Sequence, residues 1–162
     1  MAMVDRMIRL IREKKELCLL YEKQTGVMAG QKLEEMEGLE QLEQALADRE
    51  ALIARIDEID RELLAYRDDS DQGRACYDAA RNQCDYETLS PQEKQLFAEG
   101  QEIYTVLNRV QETEGAIRRE METMMESLLL KMRHNNTNNR FTGYLKQMDY
   151  GASKGLLYDE KR

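Results

Sequence analysis

The sequence has no tryptophan, one proline and two phenylalanines, and aromatic residues make up only 6% of its 162 residues. With nine glycines, it has too little glycine and proline for the many turns of a β-sandwich or barrel. Charged residues account for 35% of the chain, and Ala, Leu, Met, Glu, Gln, Lys and Arg dominate. These side chains lose little rotamer freedom in a helix. The composition therefore favours an all-α protein over a mixed α/β one.

The sequence also lacks the marks of secretion and of membrane insertion. Cys18, Cys76 and Cys84 form no CxxC pair, and we expect them to pack as small apolar groups. No apolar run approaches the ~20 residues that cross a bilayer. Residues 1–16 carry a charge every few positions, unlike a signal peptide. We therefore expect a cytoplasmic protein with reduced thiols and no membrane insertion.

The formal net charge of −8 is unevenly distributed. Residues 24–66 carry four basic and eleven acidic groups, whereas residues 131–162 carry seven basic and three acidic groups. An acidic body argues against binding of duplex nucleic acid, which releases counterions from phosphates onto Lys and Arg. The basic C-terminal part is predicted to be a separate piece of the chain.

The clearest helical pattern lies in the second half of the chain. Ser90 followed by Pro91 is typical of a helix start. From there apolar residues recur at steps of four and three, the period of a coiled-coil seam, with Gly100 and Glu114 as the exceptions. The stripe consists of Leu96, Gly100, Ile103, Leu107, Val110, Glu114, Ile117, Met121, Met124 and Leu128. A helix reaching Arg133 would be about 65 Å long, which predicts an elongated molecule.

The first half of the chain repeats this periodicity in two blocks. The first block comprises Val4, Ile8, Ile11, Lys15 and Cys18, widened by Met7, Leu10, Leu17 and Tyr21. The second comprises Leu39, Leu42, Leu46, Arg49, Leu52, Ile53, Ile56, Ile59, Leu63 and Tyr66. Glycines at 26, 30 and 38 lie between the blocks, and each costs about 1 kcal/mol relative to alanine inside a helix. We predict a bend or weak point at Gly26–Gly30 within one long helix rather than a loop.

Breaks in the pattern divide the chain. Residues 67–74, RDDSDQGR, carry polar turn-formers and a glycine, so the first long helix is predicted to end there. A short helix over residues 75–87 then returns the chain into the second long helix, antiparallel to the first. We therefore predict an elongated antiparallel helical hairpin or coiled-coil bundle over residues 1–133, with two long helices and a short connecting helix. A basic, Asn- and Tyr-rich mobile tail over residues 134–162 follows it.

The sequence offers little for catalysis. His134 is the single histidine, and no carboxylate lies at the helical offset that a metal pair needs. The E-x-x-H pattern of di-iron bundles and a glycine-rich phosphate loop are both absent from the sequence. A cysteine nucleophile needs a histidine base, and nothing places His134 beside a thiol. We therefore expect no enzymatic activity, no cofactor and no metal site.

Methionine is concentrated at the end of the second long helix. Met121, Met124, Met125 and Met132 lie near three consecutive leucines, 128–130. Methionine is flexible and suits surfaces that fit several partners, but the same residues could fill a bundle end. In the tail, Phe141, Tyr144, Leu145 and Met148 share one side of a short amphipathic helix. Such a helix is marginal alone in water, so the tail either docks on the coil or folds on a partner.

One segment resembles a known family. Leu46–Asp60, LADREALIARIDEID, is similar to a recurring stretch of flagellar export chaperones of the FlgN family, in which a leucine and an acidic–basic pair precede Glu-x-Leu-Ile and then Ile and Asp. Residues 17–23 resemble the family's first helix, with Tyr-Glu after apolar residues, and residues 158–162 resemble its tyrosine-bearing, lysine-rich endings. The order of elements over residues 4–133 also resembles the family.

This resemblance implies a small acidic cytoplasmic chaperone of flagellar type III export. It would bind unassembled hook–filament junction proteins through its C-terminal helix and tail and bring them to the export apparatus. The partner-binding positions that it implies are Met125, Leu128, Leu129, Met132, Phe141, Tyr144, Leu145 and Met148, to which the methionine cluster adds Met121 and Met124. The Asn-rich residues 134–139 depart from the family's amphipathic tail.

Two other interpretations remain open. One is a coiled-coil adaptor or stalk of an export apparatus or another assembly, with no client-binding tail; the other is a self-associating coiled-coil scaffold. A two-helix coil leaves one flank of each helix uncovered, which allows a homodimer under any interpretation. Deleting residues 134–162 separates the chaperone from the stalk, because a chaperone would lose its client and a stalk would keep its partner.

Overall fold

The computed structural model of the chain describes residues 2–130 and 136–153, without the side chains of residues 128, 130, 136–138 and 150–153. Its helices are α1 (Met3–Ala29), α2 (Met36–Asp69), α3 (Asp71–Ala80), α4 (Pro91–Leu130) and α5 (Asn136–Ser153), with a 3₁₀ turn at Tyr86–Thr88. The described residues contain no strand. The predicted all-α class, a helical bundle, is therefore confirmed.

α1 and α2 form an antiparallel hairpin. Ion pairs join Arg6 to Glu62 (Nε to Oε2, 2.8 Å) and Arg55 to Glu13 (Nη2 to Oε2, 2.7 Å), so residue numbers rise along one helix as they fall along the other. The prediction of one long helix with a bend at Gly26–Gly30 is therefore wrong. Among residues 2–130 and 136–153 the bundle has three long helices rather than two.

Two close contacts at the turn between α1 and α2 explain this reversal. Leu33 is 2% exposed and packs in one apolar cluster with Met28 and Leu39. Gly38 lies so close to the preceding turn that a Cβ there would come 2.0 Å from the carbonyl oxygen of Lys32. A buried leucine in the turn and a glycine at the close approach allow the chain to fold back within six residues.

The connector between α2 and α4 follows the predicted break but not the predicted helix. α2 ends before Ser70, inside the predicted 67–74 segment, and the Oγ of Ser70 accepts a hydrogen bond from the N–H of Gly73 (2.9 Å). This cap starts α3 at once, so the predicted helix over 75–87 is wrong in its bounds. α3 ends before Asn82, whose φ of 59° is incompatible with a continuing α-helix.

α4 begins where the sequence predicts. The Oγ of Ser90 accepts a hydrogen bond from the N–H of Glu93 (3.2 Å), and the N–H of Ser90 donates to Oε1 of Glu93 (3.0 Å). This reciprocal capping box satisfies two backbone donors at the start of the helix. The predicted stripe is buried at Leu96, Gly100, Ile103, Leu107, Val110, Glu114, Ile117 and Met121.

α1 lies at the centre of the bundle. α4 runs parallel to it, since Arg12 pairs with Glu99 (3.0 Å) and Glu22 pairs with Arg109 (2.6 Å). α2 and α4 both pack extensively along α1, whereas few of their residues approach each other directly. A groove therefore runs between α2 and α4, with α1 as its floor; α3 packs on both walls near one end, and α5 packs on both walls near the other.

The interior divides into two apolar clusters along this groove. The larger surrounds α3 and includes Val4, Met7, Ile11, Cys18, Ile56, Ile59, Cys76, Ala79, Leu96, Ile103, Leu107 and Val110. The smaller surrounds α5 and includes Met28, Leu33, Leu39, Leu42, Ala45, Leu46, Ile117, Met121, Phe141, Tyr144 and Met148. Cys18 and Cys76 pack as predicted, while Cys84 is exposed.

Candidate functional site

The candidate site is the end of the groove that α5 occupies, here called the α5 groove. Leu39, Leu42 and Leu46 of α2 form one wall, and Ile117 and Met121 of α4 form the other. All five side chains are buried in the presence of α5. An apolar trough between two antiparallel helices has the form that accepts the apolar face of another helix.

α5 is held in the groove by one face. Phe141 is fully buried, Met148 is 1% exposed and Tyr144 is 6% exposed, while Leu145 is half-buried. The spacing i, i+3, i+7 places the first three side chains on one side of a helix. The sequence of α5 is rich in poor helix formers. The helix therefore depends on the burial of this face for its stability.

Polar contacts on the rim fix the direction of α5. Arg140 and the hydroxyl of Tyr144 both donate to Oε1 of Glu43 on α2. The hydrogen bond from Tyr144, followed by that from Arg140, lowers the pKa of Glu43. At the other end, Nη2 of Arg118 on α4 lies 2.6 Å from Oδ1 of Asp149. Nε2 of Gln147 also donates to Oε1 of Glu50 on α2 (2.7 Å), so α5 runs parallel to α2 and antiparallel to α4.

The structure places the predicted partner-binding residues in two roles. Met121 is buried and Met124 and Met125 are half-buried on the α4 side, whereas Phe141, Tyr144, Leu145 and Met148 belong to the helix that covers them. Leu129 is 55% exposed, one turn beyond Met125. The side chain of Leu128 and the whole of Met132 lie outside the described residues, as does His134. Partner binding by these residues remains a prediction, and in the structure described much of the surface is filled by the chain's own helix.

Sequence reasoning missed the α2 wall of the groove. Leu42 and Leu46 belong to the predicted stripe of the first half, but the stripe alone does not distinguish contacts with α1 from contacts with α5. Glu43 and Arg118, which hold the two ends of α5, carried no recognisable pattern. One usable signal is the widening of that stripe at Ala45 and Leu46, two adjacent residues that are both buried.

A buried charged cluster lies beside the groove. Arg49 of α2 is 2% exposed and donates to Glu114 of α4 and to the hydroxyl of Tyr21 of α1. Its guanidinium carbon lies 4.2 Å from the centre of the Tyr21 ring. Its second terminal nitrogen lies 3.2 Å from the sulfur of Met28, which lines the groove. The cluster joins the three long helices at the boundary between the two apolar clusters.

A cavity of about 230 Å³ lies nearer α3, in the same groove. All four of the first helices line it, through residues that include Lys14, Asp60, Tyr77 and Tyr104. Nζ of Lys14 lies 2.8 Å from Oδ1 of Asp60, and both side chains are about 15% exposed. Oδ2 of Asp60 is buried and accepts no hydrogen bond from any described residue. Burial raises the pKa of Asp60, and Lys14 only partly offsets that effect.

Asp60→Asn is expected to stabilise the fold at neutral pH. Because the pKa of Asp60 is higher in the folded than in the unfolded state, its contribution to the unfolding free energy decreases as pH rises through the folded-state pKa. Asparagine keeps an acceptor for Lys14 and has no charge to desolvate. Urea unfolding at pH 4 to 7 should show an advantage of the variant that grows with pH, with the exposed Asp69→Asn as the control for the substitution. A constant or shrinking advantage would contradict it.

No described group of three or more His, Cys, Asp or Glu residues is arranged to hold a metal ion. Among the described helices, none combines the length and apolar character needed to cross a membrane. Comparison of the chain with protein-family models, with curated proteins and with solved structures gives no match. The functional proposal therefore depends on the geometry of the groove and of α5, together with the sequence resemblance.

Proposed function

We propose that this chain is a helix-binding export chaperone: a cytoplasmic protein of flagellar type III export that shields an amphipathic helix of unassembled hook–filament junction proteins. The observation that supports it is the α5 groove, an apolar trough that already accepts the apolar face of an amphipathic helix. A junction protein's terminal helix, which would otherwise self-assemble, has the same general form. Docking in the groove would hide its apolar face until export.

The end of α4 offers the partner a surface that α5 leaves open. Leu129 is 55% exposed, and Met36 at the start of α2 is 59% exposed although its sulfur lies 3.3 Å from Nη1 of Arg140 on α5. The half-buried Met124 and Met125 lead from the groove to Leu129. Flexible methionine side chains adapt to several partner sequences. A partner helix longer than α5 would bury Leu129 as well.

The charge of the chain segment that contains the α2 wall supports a basic partner. Residues 24–66, which include most of α2, carry a net charge of −7 from four basic and eleven acidic groups. Such a wall favours partner helices with Lys or Arg along one flank, and raises their association rate in a salt-dependent way.

Leu129→Asp tests this proposal on a residue that α5 barely covers. We expect it to weaken binding of purified junction proteins of the source organism by about tenfold or more, because a charge would be buried against the partner's apolar face. Leu20→Asp on α1 is the matched control, since Leu20 is similarly exposed (47%) and lies away from the groove. Titration calorimetry gives the affinities, and circular dichroism checks that both variants keep their helix content.

Equal losses in the two variants would place binding outside the groove. Failure of the unaltered chain to bind any junction protein would contradict the proposal and favour the adaptor or stalk interpretation. In that case the exposed leucines of α1, Leu19 and Leu20, would be the next surface to test.

A further inference from the structure

The polar contacts of α5 define what the groove recognises. The apolar positions Phe141, Tyr144 and Met148 follow the spacing i, i+3, i+7 and are all at most 6% exposed. Arg140 lies immediately before the first of them and pairs with Glu43, while Asp149 lies immediately after the last and pairs with Arg118. A helix entering the groove in the same direction meets Glu43 at its first end and Arg118 at its last, which favours a cation at the first end and an anion at the last.

α5 is weakly built as a helix. It begins NTNN and contains glycines at 143 and 151, all poor helix formers. A Cβ added at Gly143 would meet no atom within 4 Å, so nothing in the packing requires glycine there. Ala at Gly143 would therefore strengthen the helix without disturbing its contacts. The sequence keeps α5 less stable than its packing permits.

A helix that fits the groove but is easily released can compete with an external helix for the same groove. We propose that α5 is an intramolecular competitor of the partner, and that the partner helix which displaces it carries the same pattern: a cation, apolar residues at i, i+3 and i+7, and an anion. The groove of this chain is thus selective for charge and direction as well as for apolar surface. The inference depends on the proposed function for the partner's identity but not for the competition itself.

Competition predicts opposite effects of two substitutions in α5. When a segment of the same chain fills a site for part of the time, the apparent affinity for an external helix equals the intrinsic affinity multiplied by the fraction of time that the site is open. Phe141→Ala removes the most buried contact of α5 and frees the groove, so we expect it to tighten external binding about tenfold or more. Gly143→Ala stabilises α5 as a helix, so we expect it to weaken external binding up to about fivefold.

The probe for this experiment is a fluorescent synthetic peptide with the sequence of residues 136–153, added to the full-length chain. Fluorescence anisotropy measures its affinity for the unaltered chain and for the Phe141→Ala and Gly143→Ala chains. The order Phe141→Ala tightest, unaltered intermediate and Gly143→Ala weakest supports the proposal. Equal affinities, or the reverse order, would overturn it. Circular dichroism establishes that α1 to α4 keep their helix content in each chain.

A charge exchange tests the proposed recognition pattern. In the Phe141→Ala background, Glu43→Arg should weaken binding of the peptide about tenfold, because it places two cations together at the first end of the helix. A peptide carrying Arg140→Glu should bind the Glu43→Arg chain more tightly than the unaltered peptide does. Loss without this rescue would show that Glu43 supports the fold rather than the recognition, and would overturn the charge pattern.

The same chains separate this inference from the proposed function. Junction proteins that bind all three chains with equal affinity would confirm partner binding and overturn the competition. Peptide binding in the expected order, combined with no binding of any junction protein, would support the competition and contradict the assigned client.

Discussion

Glu114→Leu is expected to lower the free energy of unfolding by about 3–5 kcal/mol, because it leaves the guanidinium of Arg49 buried without a counter-charge. The side chains of Arg49 and Glu114 are only 3% and 8% exposed. The hydroxyl of Tyr21 would remain as an acceptor, and burial raises the pKa of Tyr21 to about 12, so that hydroxyl stays neutral. A neutral acceptor does not replace the carboxylate.

Removing both charges should restore most of this loss. Arg49→Met combined with Glu114→Leu replaces a desolvated ion pair by apolar side chains, a change that is often neutral or stabilising. Urea unfolding followed by circular dichroism gives the free energy for the two single variants and the double variant, and thus the coupling between the sites. A loss below about 1 kcal/mol in Glu114→Leu would show that Arg49 reaches solvent, and would contradict its burial in the core.

This cluster fixes the axial alignment of α1, α2 and α4 as well as contributing to stability. Arg49 contributes from α2, Glu114 from α4 and Tyr21 from α1, so the cluster forms only when all three helices are aligned along their axes. A slip of one helical turn would bury each charge against apolar side chains of the other helices. The double variant is therefore expected to unfold less cooperatively than the unaltered chain even where its stability is similar.

The sequence predicted the long apolar faces because those depend on local spacing alone. The stripe of α4 and its start at Ser90 follow from periodicity and from capping, both of which act within a few residues. The interruptions of that stripe were recognised as exceptions and not as contacts. In the structure Glu114 meets Arg49, the interruption of the α2 stripe, and Gly100 meets α3. Such pairings depend on how distant helices are placed.

The hairpin between α1 and α2 and the position of α5 could not be predicted for related reasons. A bent helix and a hairpin produce the same stripe on either side of Gly30, and only the burial of Leu33 and the close approach at Gly38 distinguish them. The Asn-rich start of α5 predicts poor helix formation, and that expectation is reasonable for the isolated segment. Burial of Phe141 and Met148 in a groove formed by distant residues overrides it.

Gly100→Ala is expected to disrupt the bundle interior near α3. A Cβ at Gly100 would lie 1.8 Å from the carbonyl oxygen of Ala80 and 2.8 Å from its carbonyl carbon. Both atoms belong to the backbone at the end of α3, so no side-chain rotation can relieve the overlap. α3 must instead move away from α4, which opens the apolar cluster that contains Cys76 and Leu96.

The expected net loss is about 2 kcal/mol, since overpacking costs ~1–3 kcal/mol and alanine returns up to ~1 kcal/mol through its higher helix propensity. Gly115→Ala in the same helix is the matched control, because the nearest atom to its added Cβ is a flexible Arg119 side-chain nitrogen at 3.4 Å. That control should be neutral or gain up to ~1 kcal/mol. The same substitution is thus expected to change stability in opposite directions at two positions of α4.

Thiol modification locates the damage in Gly100→Ala. Cys76 of α3 is 1% exposed and Cys18 of α1 is fully buried, so a Cys84→Ser background leaves two protected thiols in the chain. Displacement of α3 should accelerate the reaction of Cys76 with a thiol reagent while Cys18 stays protected. Equal acceleration of both thiols would indicate global unfolding instead. Unchanged stability together with a protected Cys76 would contradict the close packing of α3 on Gly100, and with it the way α3 packs on the α2 and α4 walls of the groove.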